Sequence, residues 1–442
     1  MVKEFYMRVP ETDELNACHK RVNASTNNGG SLEWSGDVQF LFLTSPYLGY
    51  VVVQTLGGYA TQRFGTKKVI GCSLLTISAC NLVLPIGCKV HYSFAIVLQF
   101  VQGFAQGGIW PGLFGIIPYW IPLRERSRFG SCFQGSAIGA MSAQFIARLA
   151  TPSIGWEYIF VVAAFVGLIM SLGWFLLACN EPELHPRITL DELDYIKKHQ
   201  QVLPPYRDKI PWGSMVGSLP LWAILFSAFG RAWFGNTIGI SGPLYLKAEI
   251  GLDDGSIGDF SGAIHFASFL TGLIFAYIAD RLLIEDVVGV LANRRLLLGI
   301  GQIPSAVLMI SMGYVYCNVP ILLCFWALVH VDLSACAPSA MVNVVDVAPN
   351  FAGPAISLIL MIAVTPNVFV LLVTNSLLQN MNALDAWKYT LSIAGGISLV
   401  SCVLNIVFVS TKVGKVAKCE IVTIVHRFKN GTTPKLTRMT TV

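Results

Sequence analysis

One arginine interrupts a long apolar run. Arg231 stands within LFSAFGRAWFGNTI, and no other charged residue occurs between positions 219 and 246. A charge at the centre of a membrane helix costs about 2.5–3.5 kcal/mol on insertion scales, so such a side chain faces protein or water and has a partner. A fixed guanidinium binds carboxylate or phosphate well. The residue therefore favours anion binding, and the structural alternative is an ion pair with an acid such as Asp332.

Three histidines and one aspartate are the other groups that could do chemistry in apolar surroundings. His330 and Asp332 lie in VHVDLSA, and His265 lies in an earlier apolar stretch. An acid inside a membrane is a candidate for ion coupling by default, so we expect Asp332 and His330 to bind a coupling ion. His91, in CKVHYS, closes an apolar stretch, where an imidazole can titrate near neutral pH or serve as a polar anchor.

These residues lie in eleven apolar stretches, each long enough for a helix to cross a bilayer. The stretches are 38–60, 69–88, 94–120, 129–150, 157–179, 219–240, 257–281, 295–317, 320–344, 350–378 and 387–410. Their runs are continuous, whereas a β-barrel would alternate apolar and polar residues. The sequence therefore predicts an all-α polytopic membrane protein.

Composition supports a protein solvated by lipid. Hydrophobic residues make up 54% of the 442 residues and charged residues only 12%, against about 25% in soluble domains. The net charge of +5 gives little support to nucleic-acid binding. There is no nucleophile–base constellation, no metal-ligand spacing and no cofactor motif, which excludes the common enzyme classes. The glycine-rich segment 102–112 lacks the lysine of a phosphate loop, and we expect close packing or a bend at Pro111 there.

Basic residues follow alternate apolar stretches and so define a topology. They occur in the turns after the first, third and seventh stretches, in the central link and in the tail, which the positive-inside rule places in the cytosol together with the C-terminus. Eleven crossings then leave the N-terminus outside or in a lumen. The sequon at Asn23 agrees with glycosylation on that side.

The chain divides into five segments around a polar centre. Residues 180–218 link the two sets of stretches and contain a capping-box pattern, Thr189 to Glu192, which predicts a short helix. The expected parts are a luminal segment (1–37), a five-span bundle (38–179), the link (180–218), a six-span bundle (219–411) and a basic cytosolic tail (412–442).

Several short stretches resemble one family. They include Glu125-Arg-Ser-Arg128, Pro182-Glu-Leu-His-Pro-Arg-Ile188 and Arg231-Ala-Trp233, and the matches continue in order through Asn343 and Asp346-Val-Ala-Pro349. On these residues the chain resembles the major facilitator superfamily and, more closely, solute carrier family 17, the anion/cation symporters. The resemblance implies two helical bundles with eleven of twelve spans present, and a first span upstream of residue 1.

The resemblance also implies roles for individual residues. The family carries a substrate-linked arginine at the position of Arg231 and a functional histidine at the position of His91. Many relatives have Arg and Glu where this chain has Gln99 and Gln106. Glutamine cannot exchange a proton, so coupling through position 106 cannot operate here, and Gln99 removes a positive charge.

Together these patterns predict an alternating-access carrier for a small organic anion or inorganic phosphate, driven by protons or sodium. We expect a monomer in a plasma, vesicular or lysosomal membrane, with Tyr47, Trp110 and Trp233 shaping the cavity beside Arg231. Basic and acidic residues in the cytosolic turns would latch the access states; they are Arg63, Lys67, Glu125, Arg126, Arg128 and Asp280. The alternative is a non-transporting, sensor-like relative, which would account for Gln99, Gln106 and the missing span.

Overall fold

Helices make up the fold in the residues that the structure describes. The computed structural model describes residues 32–122, 125, 129–153, 155–199, 210–315, 318–336, 343–348 and 351–410, and it contains no β-strand within them. The first half holds α1 Gly36–Phe64, α2 Thr66–Val90, α3 Tyr92–Gln106, α4 Ile109–Trp120, α5 Gly135–Ser153 and α6 Glu157–Leu177. The link holds α7 Leu190–His199 and α8 Trp212–Val216.

The described residues of the second half form nine α-helices. They are α9 Leu219–Asn236, α10 Gly242–Ala248, α11 Asp254–Ile284, α12 Val290–Met312, α13 Val319–Ser334, α14 Asn343–Val347, α15 Ala352–Ala363, α16 Pro366–Asn380 and α17 Ala383–Phe408. A π-helical turn, Thr237–Ser241, joins α9 to α10. Each of the eleven predicted stretches is occupied by helix.

Within the described part of the chain, six spans are long and apolar enough to cross a membrane. They are 66–90, 157–177, 255–284, 290–312, 352–380 and 383–408, and α1 is a seventh if its two parts, bent by 55°, count as one span. The other four predicted stretches hold helices that are shorter, interrupted or less apolar. Helix α6 has an apolar outer surface that suits contact with lipid. Its exposed residues include Ile169, Met170, Leu172 and Leu176. Such a surface suits hydrocarbon and would be a liability in water.

Small residues let the helices of the first half approach closely. A side chain at Gly103 of α3 would meet the backbone of Pro46 in α1, and one at Gly49 of α1 would meet the backbone of Phe100 in α3. Ser171 of α6 donates a hydrogen bond to the carbonyl oxygen of Gly71 in α2 (3.0 Å). Glycine and serine thus replace bulky side chains at the contacts, as is common between membrane helices.

Polar side chains tie the second half together inside the bundle. Gln302 of α12 donates to the carbonyl oxygen of Ser398 (2.9 Å) and to Oγ of Ser401 (2.9 Å) on α17. Asn405 of α17 donates to the carbonyl oxygen of Ala223 on α9 (2.9 Å). These bonds satisfy side-chain N–H groups that would be costly if left unpaired in an apolar bundle, whereas Oε1 of Gln302 has no partner among the described residues.

The two halves are packed together at one end, here called the basic end, where the turn at Arg63 and Lys67 lies. A side chain at Gly58 of α1 would meet Ser357 of α15, and one at Gly353 would lie 2.9 Å from the carbonyl oxygen of Pro111 in α4. An apolar cluster continues this contact with buried residues of both halves: Phe114, Ile117, Ala352, Ala355 and Ile356. The described conformation is therefore closed at the basic end.

The turn between α1 and α2 is held by one residue in the last turn of α6 and one just beyond that helix. Gly65 has φ +84°, a conformation that favours glycine. The side chain of Asn180 accepts a hydrogen bond from the amide of Lys67 (2.9 Å), and the indole of Trp174 donates to the carbonyl oxygen of Lys67 (3.1 Å). The predicted capping contact of the link also forms, since Oγ1 of Thr189 accepts from the amide of Glu192 (3.3 Å).

Candidate functional site

A cavity of about 390 Å³ opens between the two halves of the molecule. Helices α1, α3 and α4 form most of its wall, and Val364, between α15 and α16, contributes from the second half. Its polar lining comes from tyrosine, glutamine and tryptophan side chains; these are Tyr47, Tyr50, Gln99, Gln102, Gln106 and Trp110.

Two helix breaks lie against this cavity. Helix α3 ends at Gln106, and Gly107 and Gly108 separate it from α4. The break therefore precedes Pro111, where the sequence suggested a bend; Pro111 lies in the first turn of α4, a position that proline tolerates. In the second half, the break between α15 and α16 falls at Val364 itself. Interrupted helices at mid-membrane are typical of carrier binding sites.

The glutamines form a stripe on one face of α3. Gln99, Gln102 and Gln106 follow the spacing i, i+3, i+7, which places them on one side of a helix. Nε2 of Gln102 donates to Oδ1 of Asn81 on α2 (3.1 Å), while Oε1 of Gln102 is buried and has no partner among the described residues. Within the same part of the chain, no charged side chain lines the cavity.

Arg231 lies elsewhere, in the interior of the second half. It is partly buried near the middle of the α9–α10 span, and Nη1 donates to Oγ of Ser227 one turn earlier (2.8 Å). The thiols of Cys336 and Cys402 lie within its electrostatic range. No ion pair joins it to any described acid, including Asp332, so the structural alternative raised by the sequence is not formed. Among the described residues, its charge is solvated by a hydroxyl and weakly polar thiols.

The helix that carries Arg231 changes form just beyond it. The π-helical turn Thr237–Ser241 begins six residues later, and Oγ1 of Thr237 donates to the carbonyl oxygen of Trp233 (2.9 Å). Single π-helical turns inside membrane helices often mark functional positions because they leave backbone groups less regularly paired. This irregularity was not visible in the sequence.

The other expected substrate contacts fall in different places. Tyr47 and Trp110 line the cavity. Trp233 packs against Phe229, with ring centroids 5.9 Å apart, and is not among the cavity residues. His91 is exposed between α2 and α3, where its Nδ1 accepts from the amide of Ser93 (3.2 Å). The structure thus brings two of the five predicted residues together and separates the other three from them.

Two histidines of the second half meet. The rings of His265 on α11 and His330 on α13 are edge to face, with centroids 5.7 Å apart. Nδ1 of His265 lies 2.7 Å from the carbonyl oxygen of Ser261, and Nδ1 of His330 lies 3.0 Å from that of Trp326. A carbonyl oxygen only accepts, so each Nδ1 carries a hydrogen, and in the neutral ring Nε2 is then the acceptor.

Asp332 lies two residues from this pair but is separate from it. Its carboxylate is partly buried and has no hydrogen bond or ion pair with any described residue. Its backbone oxygen packs near Gly301 of α12, where a Cβ would lie 2.7 Å away. An acid in this setting is free to take up and release a cation.

The basic end holds a buried ion pair and part of the predicted latch. Arg294 of α12 lies 3.2 Å from Oδ2 of Asp346 in α14, with side chains 3% and 9% exposed. Asp280, near the end of α11, is buried, and the carbonyl oxygen of the preceding residue, Ala279, accepts a hydrogen bond from Nδ2 of Asn293 (3.1 Å).

The remaining latch residues are on or near the surface of this end. Arg63 is exposed in the last turn of α1, and Lys67 is partly buried in the first turn of α2. Glu125 accepts a hydrogen bond from the hydroxyl of Tyr195 on the link helix α7 (2.6 Å), a contact that sequence reasoning missed. Arg126, Arg128 and the sequon residue Asn23 lie outside the described residues.

Comparison with known proteins identifies the class. The family model of the major facilitator superfamily matches residues 22–292. The chain is 30% identical over 322 residues to "Sodium-dependent phosphate transport protein 1" of Rattus norvegicus, covering 72% of this chain and 69% of that protein. It is 25% identical over 386 residues to "Sialin" of Homo sapiens (87% and 78% covered), and 29% identical over 345 residues to "Vesicular glutamate transporter 1" of Bos taurus (75% and 61% covered).

The chain therefore belongs to the major facilitator superfamily and, within it, to solute carrier family 17. It is a multi-pass membrane transporter and not an enzyme. Among solved structures, the proton:xylose symporter XylE bound to 6-bromo-6-deoxy-D-glucose has the same fold, with a TM-score of 0.65 at 17% identity over 86% of this chain and 89% of that chain. A D-xylose-proton symporter matches with a TM-score of 0.59 at 18% identity over 85% and 89%.

Proposed function

We propose that this protein is an alternating-access carrier for a small organic anion or inorganic phosphate, coupled to protons or sodium. The observation that carries this proposal is Arg231, a guanidinium inside the membrane whose polar partner among the described residues is the hydroxyl of Ser227. A charge in a low-dielectric interior with no acid beside it attracts an anion strongly, because the anion replaces lost hydration. Two of the relatives are a phosphate transport protein and a glutamate transporter, which supports this choice.

The remaining predicted residues have roles within this mechanism. Tyr47 and Trp110 shape the cavity, Trp233 braces the helix of Arg231, and His91 lies at the entrance opposite the basic end. Asp332 and His330 bind the coupling cation in the second half. Opposite ends open in turn as the halves rock around the mid-membrane site.

The proposed orientation puts the basic end in the cytosol. Lysine and arginine in short loops stay on the cytosolic side during insertion, which makes the tail cytosolic and residue 23 luminal. Latching then belongs to the turns at this end, through Arg63, Lys67, Glu125, Arg126, Arg128 and Asp280. A plasma, vesicular or lysosomal membrane suits such a carrier.

The test is uptake of labelled phosphate and labelled glutamate and gluconate into proteoliposomes that contain the purified chain. Loss of a charge-assisted hydrogen bond of about 1.5–3 kcal/mol predicts that Arg231→Gln lowers uptake at least about ten-fold, while Arg231→Lys keeps part of it. Arg281→Gln removes the same charge from the exposed end of α11 and should change uptake less than two-fold. Full uptake by Arg231→Gln would refute the assigned role, and no uptake by any form would favour the sensor-like alternative.

A further inference from the structure

The cavity between the halves is polar but carries no charge on its described lining. Its hydrogen-bonding groups are the phenols of Tyr47 and Tyr50, the carboxamides of Gln99, Gln102 and Gln106, and the indole N–H of Trp110. Each carboxamide both donates and accepts, and each phenol does the same. Such a set matches hydroxyl and amide groups, which also donate and accept.

The lining of this cavity would bind a second ionised group of the solute only weakly. An ionised carboxylate or phosphate accepts hydrogen bonds and has none to donate, so it cannot satisfy an acceptor left without a partner. Oε1 of Gln102 is such an acceptor: it is buried and has no partner among the described residues. Nε2 of the same side chain donates to Oδ1 of Asn81 (3.1 Å). A buried anion also needs a cation nearby, and the described lining supplies none.

We propose that Gln99, Gln102 and Gln106 determine specificity by binding the uncharged, hydrogen-bonding body of a monovalent organic anion and by excluding a second charge. This inference rests on the proposed function, which assigns the single anionic group to Arg231 in the second half; the cavity between the halves then takes the body of the same solute as the halves close around it. It narrows the range of expected substrates, because it disfavours dianions and also monoanions whose body is purely apolar. The volume of about 390 Å³ holds a solute of roughly six to fourteen heavy atoms.

Four acids with six carbons separate the effect of the number of charges from the effect of the hydroxyl groups. Hexanoate has one charge and no hydroxyls, gluconate one charge and five hydroxyls, adipate two charges and no hydroxyls, and glucarate two charges and four hydroxyls. Dissociation constants come from ligand-induced stabilisation of the purified full chain in detergent. Because each added hydrogen bond contributes about 0.5–1.5 kcal/mol, gluconate should bind at least about ten-fold more tightly than hexanoate, and more tightly than glucarate by a similar factor.

Substitutions of Gln99 then test whether this side chain causes the preference for gluconate. Gln99→Leu removes a hydrogen-bonding group, and the preference for gluconate over hexanoate should fall several-fold. Gln99→Arg adds a cation, and the ratio of glucarate to gluconate affinity should rise about ten-fold. Gln379→Arg, the same change at the exposed end of α16, should leave that ratio unchanged.

The outcomes distinguish this inference from the function on which it rests. Tighter binding of either dianion than of gluconate, or equal binding of hexanoate and gluconate, would overturn it. Binding of phosphate without any of the four acids would also overturn it and leave anion transport standing. Failure of all five anions to bind would remove the proposed function together with the inference.

Discussion

Arg231 and Asp332 are the two intramembrane charges that the sequence singles out, and they are not paired with each other. Arg231 donates a hydrogen bond to Ser227 (2.8 Å) on its own helix, while the partly buried carboxylate of Asp332 forms no hydrogen bond or ion pair with another described side chain. Two charges that do not neutralise one another remain available for different ions. We therefore assign the anion to Arg231 and the coupling cation to the region of Asp332 and His330.

Substitution of Asp332 tests this division of labour. An asparagine cannot exchange a proton or neutralise a sodium ion, so Asp332→Asn should abolish accumulation driven by an ion gradient while leaving anion exchange at equilibrium intact. Accumulation and exchange are both measured in proteoliposomes. A variant that still concentrates the anion as well as the parent would exclude Asp332 from coupling, and Asp385→Asn, at the start of α17, is the matched control.

At the residue scale, the sequence predicted which polar side chains are candidates for function. It did not predict which of them lie in contact. Arg231, Asp332 and His330 were visible because each is polar in an apolar run. The pairing of His265 with His330 and the contact of Tyr195 with Glu125 were not, because they join residues on different helices. The glutamine stripe of α3 was readable as i, i+3, i+7 spacing, but only packing shows that this face lines a cavity.

Close helix packing is the main device at the scale of single elements. Helices α1 and α3 touch backbone to backbone at Gly49 and Gly103, which holds Tyr47 and Gln99 against the same cavity. Helix existence was predictable from apolar length, since each predicted stretch is occupied by helix. The interruptions at 107–108, 237–241 and 364–365 were missed, because glycine, threonine and valine in an apolar run do not by themselves break a helix.

A methyl group at Gly103 tests the importance of this contact. Gly103→Ala would press a Cβ into the backbone of Pro46, so we expect a loss of about 1–3 kcal/mol of stability and weaker anion binding. Gly139→Ala on α5 meets nothing within 4 Å and should be neutral or slightly stabilising, since alanine favours helix. Thermal unfolding of both variants in detergent gives the comparison, and equal stability of the two would contradict the packing described.

Closure of the basic end is the defining feature of the whole molecule. Helices α1 and α4 of the first half pack against α15 of the second, and the apolar cluster around Phe114 and Ile356 fills the contact. Two-bundle architecture followed from the polar link and the count of apolar stretches. Which end is closed could not be predicted, because both access states have the same sequence and the same helices.

A disulfide across this contact should stop the cycle. An ideal Cβ on Gly58 lies 3.1 Å from Cβ of Ser357, close enough for a disulfide after a small shift. We expect oxidised Gly58→Cys/Ser357→Cys to lose uptake and reduced protein to regain it, because the halves can no longer part at the basic end. The single variants Gly58→Cys and Ser357→Cys, tested with the native cysteines present, should not respond to the oxidant in this way. Undiminished uptake by the oxidised double variant would show that this end need not open.

The most direct test of the account is exchange across a membrane. Proteoliposomes that contain the purified chain are loaded with unlabelled gluconate or phosphate, and entry of the labelled anion is followed with and without that internal load. An alternating-access carrier predicts faster entry when the anion is present on both sides, since the loaded site returns more readily than the empty one, and it predicts loss of this entry in Arg231→Gln. Entry no faster than into protein-free liposomes, or entry indifferent to Arg231, would contradict the account.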